Sequence, residues 1–94
     1  MAYSTISHWN TTEWNDEMEA IAREKFVPLI MSVGAMRVQM IRTGEMSFSV
    51  VTEYADEAAA DAAQEKIAQI REKAAKDLPM TMKDMARGAV FAES

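Results

Sequence analysis

The chain contains no cysteine and a single histidine, His8. The first absence excludes a disulfide framework and a thiol nucleophile. The second excludes a cluster of nitrogen and sulfur metal ligands, so no metal site of that kind is expected. Basic charge is also scarce: ten Lys and Arg stand against fifteen Asp and Glu, a net charge of -5, with the basic residues scattered. A chain of this kind lacks the electrostatic footprint of a nucleic-acid binder, and an anionic membrane surface would repel it. No run approaches the roughly 20 apolar residues of a membrane span. The opening Met1-Ala2-Tyr3-Ser4-Thr5 carries neither a basic leader nor an apolar run, so no signal peptide is expected and the setting reads as cytoplasmic. Only three glycines and two prolines punctuate 94 residues. With no linker or repeat between them, one domain spanning residues 1–94 is expected.

What is present is a clear sequence of periodicities. Residues 3–10 alternate, and a helical stripe follows from Glu13 through Trp14, Met18, Ile21, Ala22, Phe26, Leu29, Ile30 and Val33. Thr11 or Thr12 is the expected cap of this helix, Gly34 its stop, and Pro28 is expected to bend its last turns. Residues 35–42 and 46–54 alternate on either side of Thr43-Gly44-Glu45, a hairpin. One hairpin face, with Met36, Val38, Met40, Met46, Phe48 and Val50, reads as core. The other, with Arg37, Gln39, Ile41, Ser47, Ser49 and Val51, is mixed. A second helix over 57–77, capped by Asp56, carries a narrow stripe rich in alanine that allows close packing on a sheet. Residues 81–92 form a last strand whose methionines keep no single alternation, and Arg87-Gly88 is the expected site of a bulge. The order βαββαβ is that of a ferredoxin-like α+β antiparallel sheet. Two helices cover one face of such a sheet, leaving the other to water, a ligand or a second copy.

Candidate chemistry is sparse. His8, the one side chain that titrates near neutrality unaided, is a candidate general base, with a strand-end residue keeping one wet nitrogen as the plainer role. Strand alternation sets it with Ile6 and Asn10, opposite to Trp9. Trp9, Trp14 and Tyr54 are candidate flat walls for an aromatic ligand, with a first-turn anchor of its helix as the plainer role of Trp14. Arg37 is a candidate oxyanion partner with Gln39 and Ser49 beside it, or a dimer-interface ion-pair partner of Glu53 or of an acid from a second copy. The strand methionines suit either a promiscuous apolar pocket or ordinary core filling.

On this plan an RNA-recognition motif would need stacking aromatics in a basic central strand, and Met46-Ser47-Phe48-Ser49-Val50 has one aromatic and no base. An acylphosphatase would need an arginine in a glycine-rich loop where this chain has Asn10-Thr11-Thr12. The residues Phe26-Val27-Pro28-Leu29-Ile30, Gly34-Ala35, Val51-Thr52-Glu53-Tyr54, Asp56 and the alanines of 58–63 resemble the dimeric α+β-barrel superfamily, in particular antibiotic biosynthesis monooxygenase-like proteins. The resemblance implies a homodimer formed through the uncovered sheet face and a pocket between sheet and helices. It also implies cofactor-free oxygenation of an electron-rich phenolic or quinone-type compound, with His8 and Arg37 catalytic and Asn10, Trp14, Gln39, Ser49 and Tyr54 around the substrate. The chain departs from the pattern where many relatives carry a histidine early in the second helix; here that stretch holds Ala59, Ala62 and Ala63. It departs again at Tyr54, where tryptophan is common. The missing histidine argues against haem degradation and keeps open a non-catalytic barrel that binds an apolar ligand or serves as an interaction module.

Overall fold

The alternation of residues 3–11 is converted directly into burial. In β1 (Tyr3–Thr11), Ser7, Trp9 and Thr11 are buried while Ile6, His8 and Asn10 are exposed. The computed structural model describes all residues, Met1–Ser94. Strands β2 (Arg37–Gly44), β3 (Ser47–Tyr54) and β4 (Met80–Ala89) complete an antiparallel sheet in the order β2-β3-β1-β4. This is the ferredoxin-like α+β arrangement. Helices α1 (Asp16–Ile21), α2 (Val27–Ser32) and α3 (Glu57–Asp77) supply the second layer. The core joins Trp9, Val50 and Tyr54 of the sheet to Ile30 and to Ala60 and Ala63 of α3. Alanine at these helix positions is what allows so close an approach. A second group, Phe26, Ala74 and Leu78, closes the far end.

The first helical arm begins later than the sequence suggests. Its cap is Asn15, whose side chain accepts from the Met18 backbone N–H at 2.9 Å, rather than Thr11 or Thr12. Those threonines are still engaged with the sheet. Thr11 N donates to Met46 O and Thr12 N to Pro79 O, and the Thr11 hydroxyl lies 2.8 and 2.9 Å from the carbonyls of Glu13 and Pro79.

Pro28 introduces no simple bend. A π-helical turn over Ala22–Phe26 joins α1 to α2, and Pro28 lies in the first turn of α2. In a regular helix the proline ring would clash with the carbonyl of Glu24, four residues back. The wider turn, in which Val27 N–H bonds to Ala22 O, relieves that crowding. Such insertions are common causes of irregular helices. Gly34, at φ 106°, ends the arm as expected.

In the hairpin, Val38, Met40, Phe48 and Val50 face the helices. Met36 and Met46, expected on that face, are instead exposed, at 58% and 47%. Met36 precedes β2. Met46 shares a two-residue turn with Glu45, because Gly44 pairs with Ser47 and Thr43 is the irregular residue of the ladder. A Cβ at Gly44 would lie 2.7 Å from Ser47 Oγ, so that hydroxyl would have to turn aside for any larger residue.

The bulge in β4 is not at Arg87-Gly88, which pair regularly with Thr5 and Ser4. It falls at Lys83, since His8 pairs with Asp84 and Trp9 with Met82. The extra residue keeps Met80, Met82, Met85 and Arg87 on the helix side and turns Asp84 to the open face. Arg87 then ties β4 to α3 by donating to the Tyr3 hydroxyl at 3.0 Å and pairing with Asp61. Both partners hold its guanidinium above the usual range.

Candidate functional site

Between the first helical arm and the hairpin lies a cleft of about 310 Å³, lined by Trp14, Met18, Glu19, Ala22, Arg23, Val27, Met40, Arg42, Phe48, Leu78 and Met80. The size falls at the lower end of ordinary ligand pockets, and the lining is predominantly apolar with a few polar groups, as such pockets require. Trp14 is held as a wall from three directions. Its indole N–H donates to Glu19 Oε2 at 2.7 Å, the Arg42 guanidinium stacks 4.3 Å from its ring centre, and Phe48 meets it edge-on at 5.9 Å. Phe48 also lies parallel to Trp9, 6.2 Å between centroids. The alternation of β3 and the cap at Asn15 bring these rings together: one sends Phe48 toward the helices, the other starts α1 immediately beyond Trp14.

Behind Phe48 and Met40 lies an inner lobe of about 70 Å³, which shares Ala22, Met40, Phe48, Leu78 and Met80 as lining with the outer cleft. Ser7, Thr52 and Arg71 are its polar lining. Trp9 Nε1 donates to Ser7 Oγ at 2.7 Å, leaving the Ser7 hydroxyl hydrogen free to donate. Tyr54 is nearly fully buried, at 2%. Burial raises its pKa, with Arg71 and Arg87 pulling the other way, and it stays a neutral phenol at pH 7.

The candidates read from the sequence divide between the two sides of the sheet. Trp14 is in the cleft and Tyr54 is in the core beneath the helices. His8, Asn10, Arg37, Gln39 and Ser49 lie on the opposite, open face, as the register requires. Arg37 sits opposite Glu53 but forms no ion pair with it. Ser49 is cross-strand from His8 and Ile41, not from Arg37 or Gln39.

His8 Nδ1 is 2.7 Å from Ser49 Oγ, and its Nε2 is 3.9 Å from Asp84 Oδ1. The residue types are those of a nucleophilic triad, but the surroundings are not. Ser49 is buried at 5% in the middle of a strand paired on both sides, so no free backbone N–H pair is available to receive an oxyanion. No three His, Cys, Asp or Glu side chains converge as a potential metal-binding group. No helix is long and apolar enough to cross a membrane.

Phe48, Arg42 and Arg71 were not singled out by sequence. Phe48 reads as ordinary core, and Arg42 as the exposed end of a strand. Arg71 did leave a signal: it falls between Ile70 and Ala74, four residues after Ile67, so a cation borders the apolar stripe of α3.

No family model matches the chain, and no curated protein matches it in sequence. Its fold, however, recurs among solved structures. A protein of unknown function from Nitrosomonas europaea is 18% identical, with a TM-score of 0.73, covering 99% of this chain and 92% of that one. A dimeric ferredoxin-like protein from an uncultured marine organism is 20% identical, with a TM-score of 0.69, covering 100% and 98%. SnoaB, a cofactor-independent oxygenase from Streptomyces nogalater, is 12% identical, with a TM-score of 0.69, covering 98% and 95%. These likenesses agree with the ferredoxin-like plan, and the proteins sharing it include dimeric ones and an oxygenase.

Proposed function

We propose that the cleft between the first helical arm and the hairpin holds a planar aromatic compound, that the protein oxygenates it without a cofactor, and that it works as a homodimer joined through the open sheet face. The observation that carries this reading is the group of Trp14, Phe48 and Arg42, where two rings and a stacked guanidinium pack into one cleft wall against which a flat, electron-rich molecule can lie. The likeness to a cofactor-independent oxygenase raises the expectation for the chemistry but supports only the fold directly.

In such chemistry the substrate supplies the electrons. A phenol is oxidised to a quinone: it loses its O–H proton and one ring C–H hydrogen, that carbon becomes C=O, and dioxygen gives one atom to the product and one to water. The chain would contribute binding, exclusion of water and control of charge. Arg42 and Arg23 can stabilise an anionic substrate oxygen, and Glu19 is the one lining group able to take a proton. In this reading His8, Arg37, Asn10, Gln39 and Ser49 do not touch the substrate. They belong to the face that meets the second copy, where Ile6 and Ile41 are exposed among polar neighbours.

Oxygen consumption with a panel of hydroxylated polycyclic aromatics tests the reading. One dioxygen consumed per product is expected, with activity lost in Trp14→Ala and retained in His8→Ala. A non-catalytic binder is the second reading, favoured by the engagement of Glu19 with the Trp14 indole. Saturable binding of the panel without oxygen consumption would select it.

A further inference from the structure

Arg71 is a cation without an anion. It projects from α3 into the space between helix and sheet, partly buried, and lines the inner lobe. The ion pairs of the protein are His8–Asp84, Lys25–Asp77 and Arg87–Asp61, none of which includes it. Its one side-chain hydrogen bond goes from Nη1 to Met85 Sδ at 3.4 Å, and a thioether is a weak acceptor for one of five guanidinium donors. Removing a charge from water without a partner is unfavourable, and here burial draws the Arg71 pKa below its ordinary value. The neighbouring phenol, Tyr54, is neutral and offers no compensating charge.

The surroundings are suited to complete this group. Ser7 and Thr52 share the lobe with Arg71, and the Ser7 hydroxyl, already accepting from Trp9, has its hydrogen free. The lobe measures about 70 Å³, against the roughly 30 Å³ that a water occupies in the liquid, which is room for a small charged group but not for a ring. Met40, a flexible side chain, and Phe48 form the wall it shares with the cleft, which has room for the ring. A guanidinium fork matches a carboxylate in two parallel hydrogen bonds.

We infer that the inner lobe is a carboxylate subsite, so that the natural ligand is an aromatic acid whose ring lies against Trp14 and Phe48 and whose carboxylate reaches Arg71. This rests on the cleft being the ligand site, and it narrows the compound class to acids. Arg71 is then a binding residue that sets ligand orientation by fixing which end of the molecule goes in first.

The test compares 2-naphthoate with its neutral counterpart 2-naphthalenemethanol, followed by quenching of tryptophan fluorescence, since Trp9 and Trp14 line the two lobes. The acid should bind the wild-type protein about ten- to a hundredfold more tightly, the range of a hydrogen bond to a charged partner. In Arg71→Gln that preference should vanish while affinity for the alcohol is kept. Arg71→Lys, which retains charge but not the fork, should lie between. Lys73→Gln, which removes an exposed cation from the same helix and lines neither space, should keep the preference. Binding of both probes with no preference for the acid, or a preference that survives Arg71→Gln, would overturn the subsite and leave the cleft standing as an aromatic site. Failure of both probes to bind would overturn the cleft reading and this inference with it.

Discussion

Replacing Ile41 by aspartate is expected to convert the protein from dimer to monomer without unfolding it. Ile41 stands on β2, facing away from the helices and 46% exposed in the single chain, with Ser49 as its cross-strand neighbour. It belongs to no part of the core, so a carboxylate there remains solvated in the isolated chain and should change its stability by no more than about 0.5 kcal/mol. In the proposed dimer the same carboxylate would be carried onto a partner sheet. An unpaired charge in such a setting costs at least several kcal/mol, and two-fold symmetry introduces it twice. Light scattering at tens of micromolar should give the mass of two chains for the wild type and of one for Ile41→Asp, with unchanged circular dichroism. A wild-type monomer, or a variant that remains dimeric, would remove the open face from the account.

Phe48→Ala carries the second large expectation. The ring stacks on Trp9, meets Trp14 edge-on and forms a wall of both the outer cleft and the inner lobe. Truncating it joins the two spaces and removes the contact that fixes the Trp14 edge. Phe48 is partly buried, which puts the loss of stability near the lower end for such truncations, about 3 kcal/mol. Affinity for a flat aromatic probe should fall at least tenfold, the scale of an aromatic anchor at a binding centre. His8→Ala is the matched control. It lies on the other side of the sheet and should leave that affinity unchanged. Equal losses in the two variants would mean that the probe reads general loosening rather than the cleft.

The fold was legible because each element has a strong local signal. The alternation of β1 and β3 places one face under the helices, and the span of α3, from the Asp56 cap to Asp77, is the one read from its alanine stripe and charge order. What escaped were features set by the neighbours of a residue in space. Thr11 looks like a helix cap until the sheet claims its backbone through Met46, and the cap then passes to Asn15. The broken alternation of Met82 and Met85 signalled a bulge, but only the pairing partners on β1 place it at Lys83 rather than at Arg87-Gly88. The π turn before Pro28 has the same character, since the sequence marks a conflict without saying how the helix resolves it.

The site was legible only in part. His8, Asn10, Arg37, Gln39 and Ser49 do share one face, as their alternation requires, but which face carries a cavity depends on where the helices settle. A strand pattern alone is silent on that choice. Trp14 was recoverable because an aromatic at a helix start borders the sheet. Arg71 was recoverable only as a cation beside the apolar stripe of α3, because its meaning comes from an acid that is missing around it rather than from any motif.

The central claim is that the sheet separates two tasks, ligand on the helix side and a second copy on the open side. Methyl-detected NMR during titration with 2-naphthoate tests it most directly. The account predicts shifts at Met18, Met40 and Met80 and at the Trp14 indole N–H, with the methyls of Ile6 and Ile41 and the His8 ring unmoved. Shifts concentrated at His8, Ile6 and Ile41, with the cleft methyls silent, would contradict it.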